Sequence, residues 1–155
     1  MSYCTAGHTT FYHRYHVVWA TKYRHAVLQG AMREQLREVI RQPCSELGVQ
    51  IIKGVLARDH VHMFINVPPK LALATVMQRI KGRSSRHVQM EFPELKKRYW
   101  GRRFWACGYF STTSGNVTDD IILQYLELHS KRDATGIRRF TPHYGFQRSC
   151  QRKLA

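Results

Sequence analysis

The chain has 155 residues, 43% of them hydrophobic, enough for one domain with a buried core. Lysine and arginine number 25 against 10 acidic residues, a net charge of +15 that points to a polyanionic partner. No stretch approaches the about 18 apolar residues of a membrane span. The opening Met-Ser-Tyr-Cys-Thr-Ala-Gly-His lacks the apolar segment of a secretory signal. Cys4, Cys44, Cys107 and Cys150 are scattered, without zinc-ribbon or disulfide spacing, so a reducing cytoplasm is the expected setting.

Phe11 to Thr21, rich in aromatic and β-branched residues, reads as a strand followed by the basic turn Lys22-Tyr-Arg-His25. Met32, Leu36, Val39 and Ile40 recur at helical spacing, and Pro43 is expected to kink or end that helix. Val49 to Leu56 and Asp59 to Val67 read as a hairpin joined at Ala57-Arg58 and stopped by Pro68-Pro69.

Leu73 to Met90 is the next expected helix, with Leu73, Val76, Met77 and Ile80 inward and Lys81, Arg83 and Arg86 outward. Phe104 to Thr112 reads as a strand and Ser111 to Asn116 as a hinge-like loop. Thr118 caps a last helix that opens with Asp119-Asp120 and runs to about Ser130.

The order strand, helix, strand, strand, helix, strand, helix implies an α+β fold: a ferredoxin-like or RRM-like antiparallel sheet with helices packed on it. One domain over residues 1–132 and a basic tail over 133–155 are expected.

Within the third strand, alternation puts His60, His62, Phe64 and Asn66 on one face and Val61, Met63, Ile65 and Val67 on the other. Two imidazoles side by side above an apolar back can offer nitrogen ligands to a metal, although His-x-His also occurs as an ordinary exposed pair. Tyr125 and His129 lie four residues apart on the last helix and so share a face. By themselves they read as a core aromatic and a cation near a helix end. Beside the paired histidines they offer a hydroxyl nucleophile and a third ligand, the parts that metal-assisted phosphodiester cleavage needs.

Gln78 to Phe104 holds nine basic and two acidic residues, and His129 to Ala155 seven and one. Arg79, Lys81, Arg83, Arg86, Arg102 and Arg103 are the candidates for phosphate contacts, with Lys22 and Arg24 beside the first strand. Tyr99, Trp100, Phe104 and Trp105 could stack on unpaired bases, with core packing the expected role of at least half of them.

Taken together, Tyr15-His-Val-Val-Trp-Ala-Thr-Lys-Tyr-Arg24, Asp59-His-Val-His62 with Pro68-Pro69-Lys70, Ile80-Lys-Gly-Arg-Ser-Ser-Arg86, Glu91-Phe-Pro-Glu-Leu-Lys96 and the tyrosine helix occur in one order over residues 11–131. This pattern resembles the single-tyrosine transposases of the insertion-sequence 200/605 family, in the HUH superfamily of single-strand nucleases. The resemblance implies the HUH endonuclease fold and a divalent ion, Mg²⁺ or Mn²⁺, held by His60, His62 and position 129. It implies Tyr125 as the nucleophile that forms a 5′-phosphotyrosine, so that strands are rejoined without ATP or any nucleotide cofactor. The family usually carries Gln or Asn where this chain has His129, and an all-nitrogen set would favour Mn²⁺ or softer ions. Single-stranded DNA and subterminal DNA hairpins are the implied partners. A homodimer whose tyrosine helix completes the partner subunit's site, at work on DNA in a prokaryotic cytoplasm, is the implied assembly. A repeat-associated tyrosine transposase is a close alternative. A non-catalytic nucleic-acid-binding module needs neither the histidines nor the tyrosine. A zinc hydrolase of the His-x-His-x-Asp-His kind lacks its second half here.

Overall fold

The computed structural model describes residues 4–95 and 103–113. The tyrosine helix, most of the loop before it, the boundary near 132 and the basic tail lie outside the described residues.

A small hairpin opens the described chain, β1 (Cys4–Ala6) paired with β2 (Thr9–Phe11). Its two-residue loop begins with Gly7 at φ 61°, a position that demands a positive φ. The strand expected from Phe11 to Thr21 is therefore two strands: the chain breaks at Tyr12-His13 and resumes as β3 (Arg14–Ala20).

Helix α1 (Gly30–Leu47) runs through Pro43 rather than ending there. Pro43 and Cys44 are buried, and this packing offsets the hydrogen bond that proline cannot make. The helix stops one turn later, at Gly48 (φ 70°), whose N–H donates to Cys44 O and Ser45 O. A left-handed residue at that point is a common helix end.

The hairpin β4 (Gln50–Leu56) and β5 (His60–Asn66) forms as expected, closed by Ala57 N–H donating to His60 O at 2.9 Å. Helix α2 (Leu73–Glu91) follows, then β6 (Phe110–Thr112). The four long-range strands lie in the order β4-β5-β3-β6, every neighbour antiparallel. Counted within this sheet, the strands run second, third, first, fourth, the ferredoxin-like arrangement.

One face of the sheet supplies Val17, Trp19, Val61, Met63 and Ile65 to the core. Met32, Leu36 and Ile40 of α1 and Val76, Met77, Ile80 and Val88 of α2 close it. Each such side chain contributes on the order of 1.5–3 kcal/mol of burial free energy. Both helices thus cover one face, and the histidines stand on the other.

The expected strand from Phe104 to Thr112 is interrupted. Trp105 bridges Thr21, and Phe110 pairs with Val18, so three steps along the first partner face five along the second. The surplus bulges at Cys107 to Tyr109, with Gly108 at φ 78°. Lys81, expected to point outward, is half-buried instead and donates Nζ to Ala106 O (2.9 Å) and Gly108 O (2.6 Å), carbonyls that the bulge takes out of the ladder. Ser111 and Thr112, where the expected strand and hinge loop overlap, belong to β6.

Beneath the bulge, the buried Ser84 hydroxyl donates to Ile80 O (2.6 Å) and accepts from Trp105 Nε1 (2.8 Å). Replacing Ser84 with Ala strands the buried indole N–H. Urea unfolding of Ser84→Ala should show a loss of about 1–3 kcal/mol; an unchanged midpoint would mean that the hydroxyl is dispensable.

Candidate functional site

The register between β3 and β5 sets Ala20 opposite His60, Val18 opposite His62, His16 opposite Phe64 and Arg14 opposite Asn66. Directly opposed residues of an antiparallel pair share a face, so His16 joins His60 and His62 away from the helices. The sequence reading missed it. Its signal lies in pairing rather than spacing: an antiparallel partner strand with a histidine at the matching parity.

Asp59 stands at the last position before β5. Its backbone carbonyl accepts from Thr21 N–H at 2.9 Å. One carboxylate oxygen, Oδ2, receives both Arg24 Nε and Nη2, each at 2.9 Å, and the other, Oδ1, lies 2.8 Å from His60 Nδ1. Burial alone would raise this carboxyl. The hydrogen bonds from His60 and Arg24, with the Arg24 charge, outweigh burial and hold its pKa below the ordinary 3.8. An ionised carboxylate only accepts, so His60 carries its proton on Nδ1, and the Nε2 lone pair is left for a ligand.

His62 has a different neighbour. Its Nε2 lies 3.4 Å from His16 Nδ1, and the His16 ring stacks on Phe64 with centroids 4.2 Å apart. Burial lowers the His16 pKa and favours its neutral form, as a nitrogen ligand requires. The ring nitrogen left open on His60 is a donor of the kind that a divalent ion takes. Among the described residues no group of three or more His, Cys, Asp or Glu side chains is placed to hold one. His129 and Tyr125 lie outside the described residues.

The candidate phosphate contacts separate into distinct settings. Arg24 is committed to Asp59, Lys81 to the bulge carbonyls, and Arg83 to Glu46 at 2.8 Å, an ion pair that ties α2 to the end of α1. Lys22 lies 5.1 Å from the centre of the Tyr23 ring. Arg79 and Arg86 are exposed on α2, on the side of the sheet opposite the histidines. Arg103 is exposed, with Nη1 3.3 Å from Cys107 Sγ, and Arg102 lies outside the described residues. Of the candidate stacking aromatics, Phe104 and Trp105 are core residues, while Tyr99 and Trp100 lie outside the described residues. No described helix is long and apolar enough to cross a membrane.

The turn that delivers Arg24 is strained. Tyr23 (φ 59°) and Arg24 (φ 51°) are consecutive non-glycine residues in the left-handed region. They are held there by Arg24 N–H to Thr21 O and by the Thr21 hydroxyl, 2.9 Å from His25 O. Such strain gathers at functional sites and needs surrounding bonds to fix it.

A family model described as IS200-like transposase matches residues 9–129. The IS200 insertion-element transposase of Salmonella typhimurium is 33% identical over 139 residues, which cover 90% of this chain and 91% of that protein. The ISDra2 transposase TnpA of Deinococcus radiodurans is 32% identical over 113 residues, 73% and 81% of the two chains. A crystal structure of a Deinococcus radiodurans protein assigned as a transposase superposes with a TM-score of 0.74 at 30% identity, over 81% of this chain and 98% of that one. A REP-associated tyrosine transposase bound to a REP hairpin shares the fold, with a TM-score of 0.53 at 14% identity over 77% and 68%.

Relieving the strain at Tyr23 has a signed outcome. Tyr23→Gly should raise the free energy of unfolding by about 1 kcal/mol, because glycine adopts a positive φ without a Cβ clash; a fall in the melting temperature would mean that contacts of the ring outweigh its backbone strain.

Proposed function

The chain belongs to the IS200-like transposase family, and from that premise we propose that it cleaves and rejoins single-stranded DNA at insertion-sequence ends through a tyrosine-linked intermediate. The observation that carries this reading is the His60–Asp59 contact, which leaves a ring nitrogen available on the same sheet face as His62. Simple nucleic-acid binding needs no such arrangement.

In this reading Tyr125 attacks the phosphorus. The phenol oxygen becomes bonded to the 5′ phosphate as the bond to the upstream 3′ oxygen breaks. The phenol proton is lost and the departing 3′ oxygen gains one. Attack by a second 3′ hydroxyl reverses the step, so no ATP is consumed. A divalent ion, Mg²⁺ or Mn²⁺, held by His60, His62 and His129, would neutralise charge developing on the phosphate. Asp59 fixes the His60 tautomer, and Arg24 keeps Asp59 ionised and in place.

The exposed arginines of α2 lie across the sheet from the histidines. We assign them, with Arg102 and Arg103, to the phosphates of a paired hairpin segment, leaving the histidine face to the strand that is cut. Identity of about a third over nine-tenths of the IS200 transposase, against fold likeness alone to the REP-associated enzyme, favours an insertion-element substrate over a dispersed repeat. We further infer that the protein acts as a homodimer in which Tyr125 serves the partner subunit's histidines.

Incubation with single-stranded element ends and Mn²⁺ should give a covalent protein–DNA adduct on a denaturing gel, absent with Tyr125→Phe. An adduct that survives this change would remove Tyr125 from the role. Mixed dimers of Tyr125→Phe and His62→Ala subunits should regain cleavage; continued inactivity would rule out assembly in trans.

Metal affinity offers a readout separate from cleavage. Asp59→Asn should weaken Mn²⁺ binding about 10- to 100-fold by calorimetry while the protein stays folded. Wild-type affinity in this variant would exclude the positioning role of Asp59.

A further inference from the structure

The sheet face with the histidines also carries a run of stacked groups that leads away from them. His16 lies flat against Phe64, the ring planes 11° from parallel. The Arg14 guanidinium carbon sits 5.9 Å from the centre of the Phe64 ring and 4.4 Å from that of Tyr12. Tyr12 ends the run, 42% exposed, in the break between β2 and β3. From His62 the order is thus His16, Phe64, Arg14, Tyr12, all reached without entering the core on the opposite face.

A guanidinium placed against two rings is restrained in orientation by cation–π contact, which fixes where its charge is presented to a phosphate. An exposed tyrosine beside it offers a π-face. Together they supply the two contacts by which unpaired nucleotides are held: backbone phosphate on a cation and base on an aromatic ring. The +15 charge attracts such a strand, and the shared face aligns it with the histidines.

We propose that Tyr12 and Arg14 form a docking platform for an unpaired nucleotide of the strand that reaches the histidines, with Tyr12 stacked on its base and Arg14 against its phosphate. The proposal rests on the single-strand reading above and extends it to residues outside the proposed cleavage machinery. Because a duplex buries its base faces in its own stack, the platform selects single strands.

The test is fluorescence anisotropy of the full-length protein with labelled oligothymidylate and with a strand of equal length that lacks bases. Tyr12→Ala should weaken oligothymidylate binding about tenfold and leave the abasic strand unaffected, while Tyr12→Trp retains wild-type affinity. Arg14→Ala should weaken both strands and reduce the slope of log affinity against log salt by about 0.7. Tyr12→Leu, which keeps apolar bulk without a flat π-face, should lose affinity as Ala does and stands in for it should Ala fail to fold. Wild-type affinity of the Ala or Leu variant for oligothymidylate would overturn the platform alone. Failure of the wild-type protein to bind either strand would overturn the single-strand reading and the platform with it.

Discussion

The ladder between β3 and β5 is the constraint on which everything else depends. It runs in unbroken register from Arg14 opposite Asn66 to Ala20 opposite His60. A slip of one residue would turn His60, His62 and Phe64 into the core and Val61, Met63 and Ile65 out to solvent. Burying unpaired imidazoles while exposing three apolar side chains would cost several kcal/mol in each direction. The packing of Val17, Trp19, Met63 and Ile65 under the two helices therefore enforces the register, and the register places the histidines. Core and site are opposite faces of the same seven pairs.

A second dependence runs through Asp59. The carboxylate divides its oxygens, one for Arg24 and one for His60, so neither partner competes with the other. Arg24 reaches it because the chain turns through two left-handed residues, a conformation that Tyr and Arg avoid when unconstrained. The charge-assisted contacts at 2.9 Å and the Thr21 anchor offset that strain. Local disfavour at Tyr23 thus becomes intelligible only with the long-range contact in view.

This explains which parts of the molecule could be read from the sequence. Period-two alternation in Asp59 to Val67 and 3.6-residue periodicity in Leu73 to Met90 are local signals, and both elements formed within a residue or so of expectation. The ferredoxin-like order followed from the sequence of elements alone. Features set by partners distant in the chain were not legible. Pro43 reads as a kink or a stop, and which of the two is not written locally: with Pro43 and Cys44 buried, the helix continues past it to Leu47. The bulge at Gly108 depends on Lys81, more than twenty residues earlier. His16 looked like one residue of an aromatic strand until pairing set it beside His62. Phe104 and Trp105, by contrast, lie in the core, as expected of at least half of the four candidate stacking aromatics.

Charge shows the same limit of composition. The excess of +15 argues for a polyanion, but a sum cannot distinguish cations that face solvent from those that hold the fold together. Lys81 binds two carbonyls and Arg24 one carboxylate, each at a junction between elements, while Arg83 pairs with Glu46 on the exposed surface. These side chains set the positions from which other cations act: Lys81 braces the strand end beside β3, and Arg24 stiffens the histidine end of β5. The arginines that remain exposed on α2 lie on the far side of the sheet from Arg14 and Tyr12. A nucleic acid held at both places must therefore pass around an edge of the sheet, and a strand able to do so within a few nucleotides has to be flexible. Single-stranded DNA meets that requirement, and a continuous duplex, with a persistence length of about 50 nm, does not.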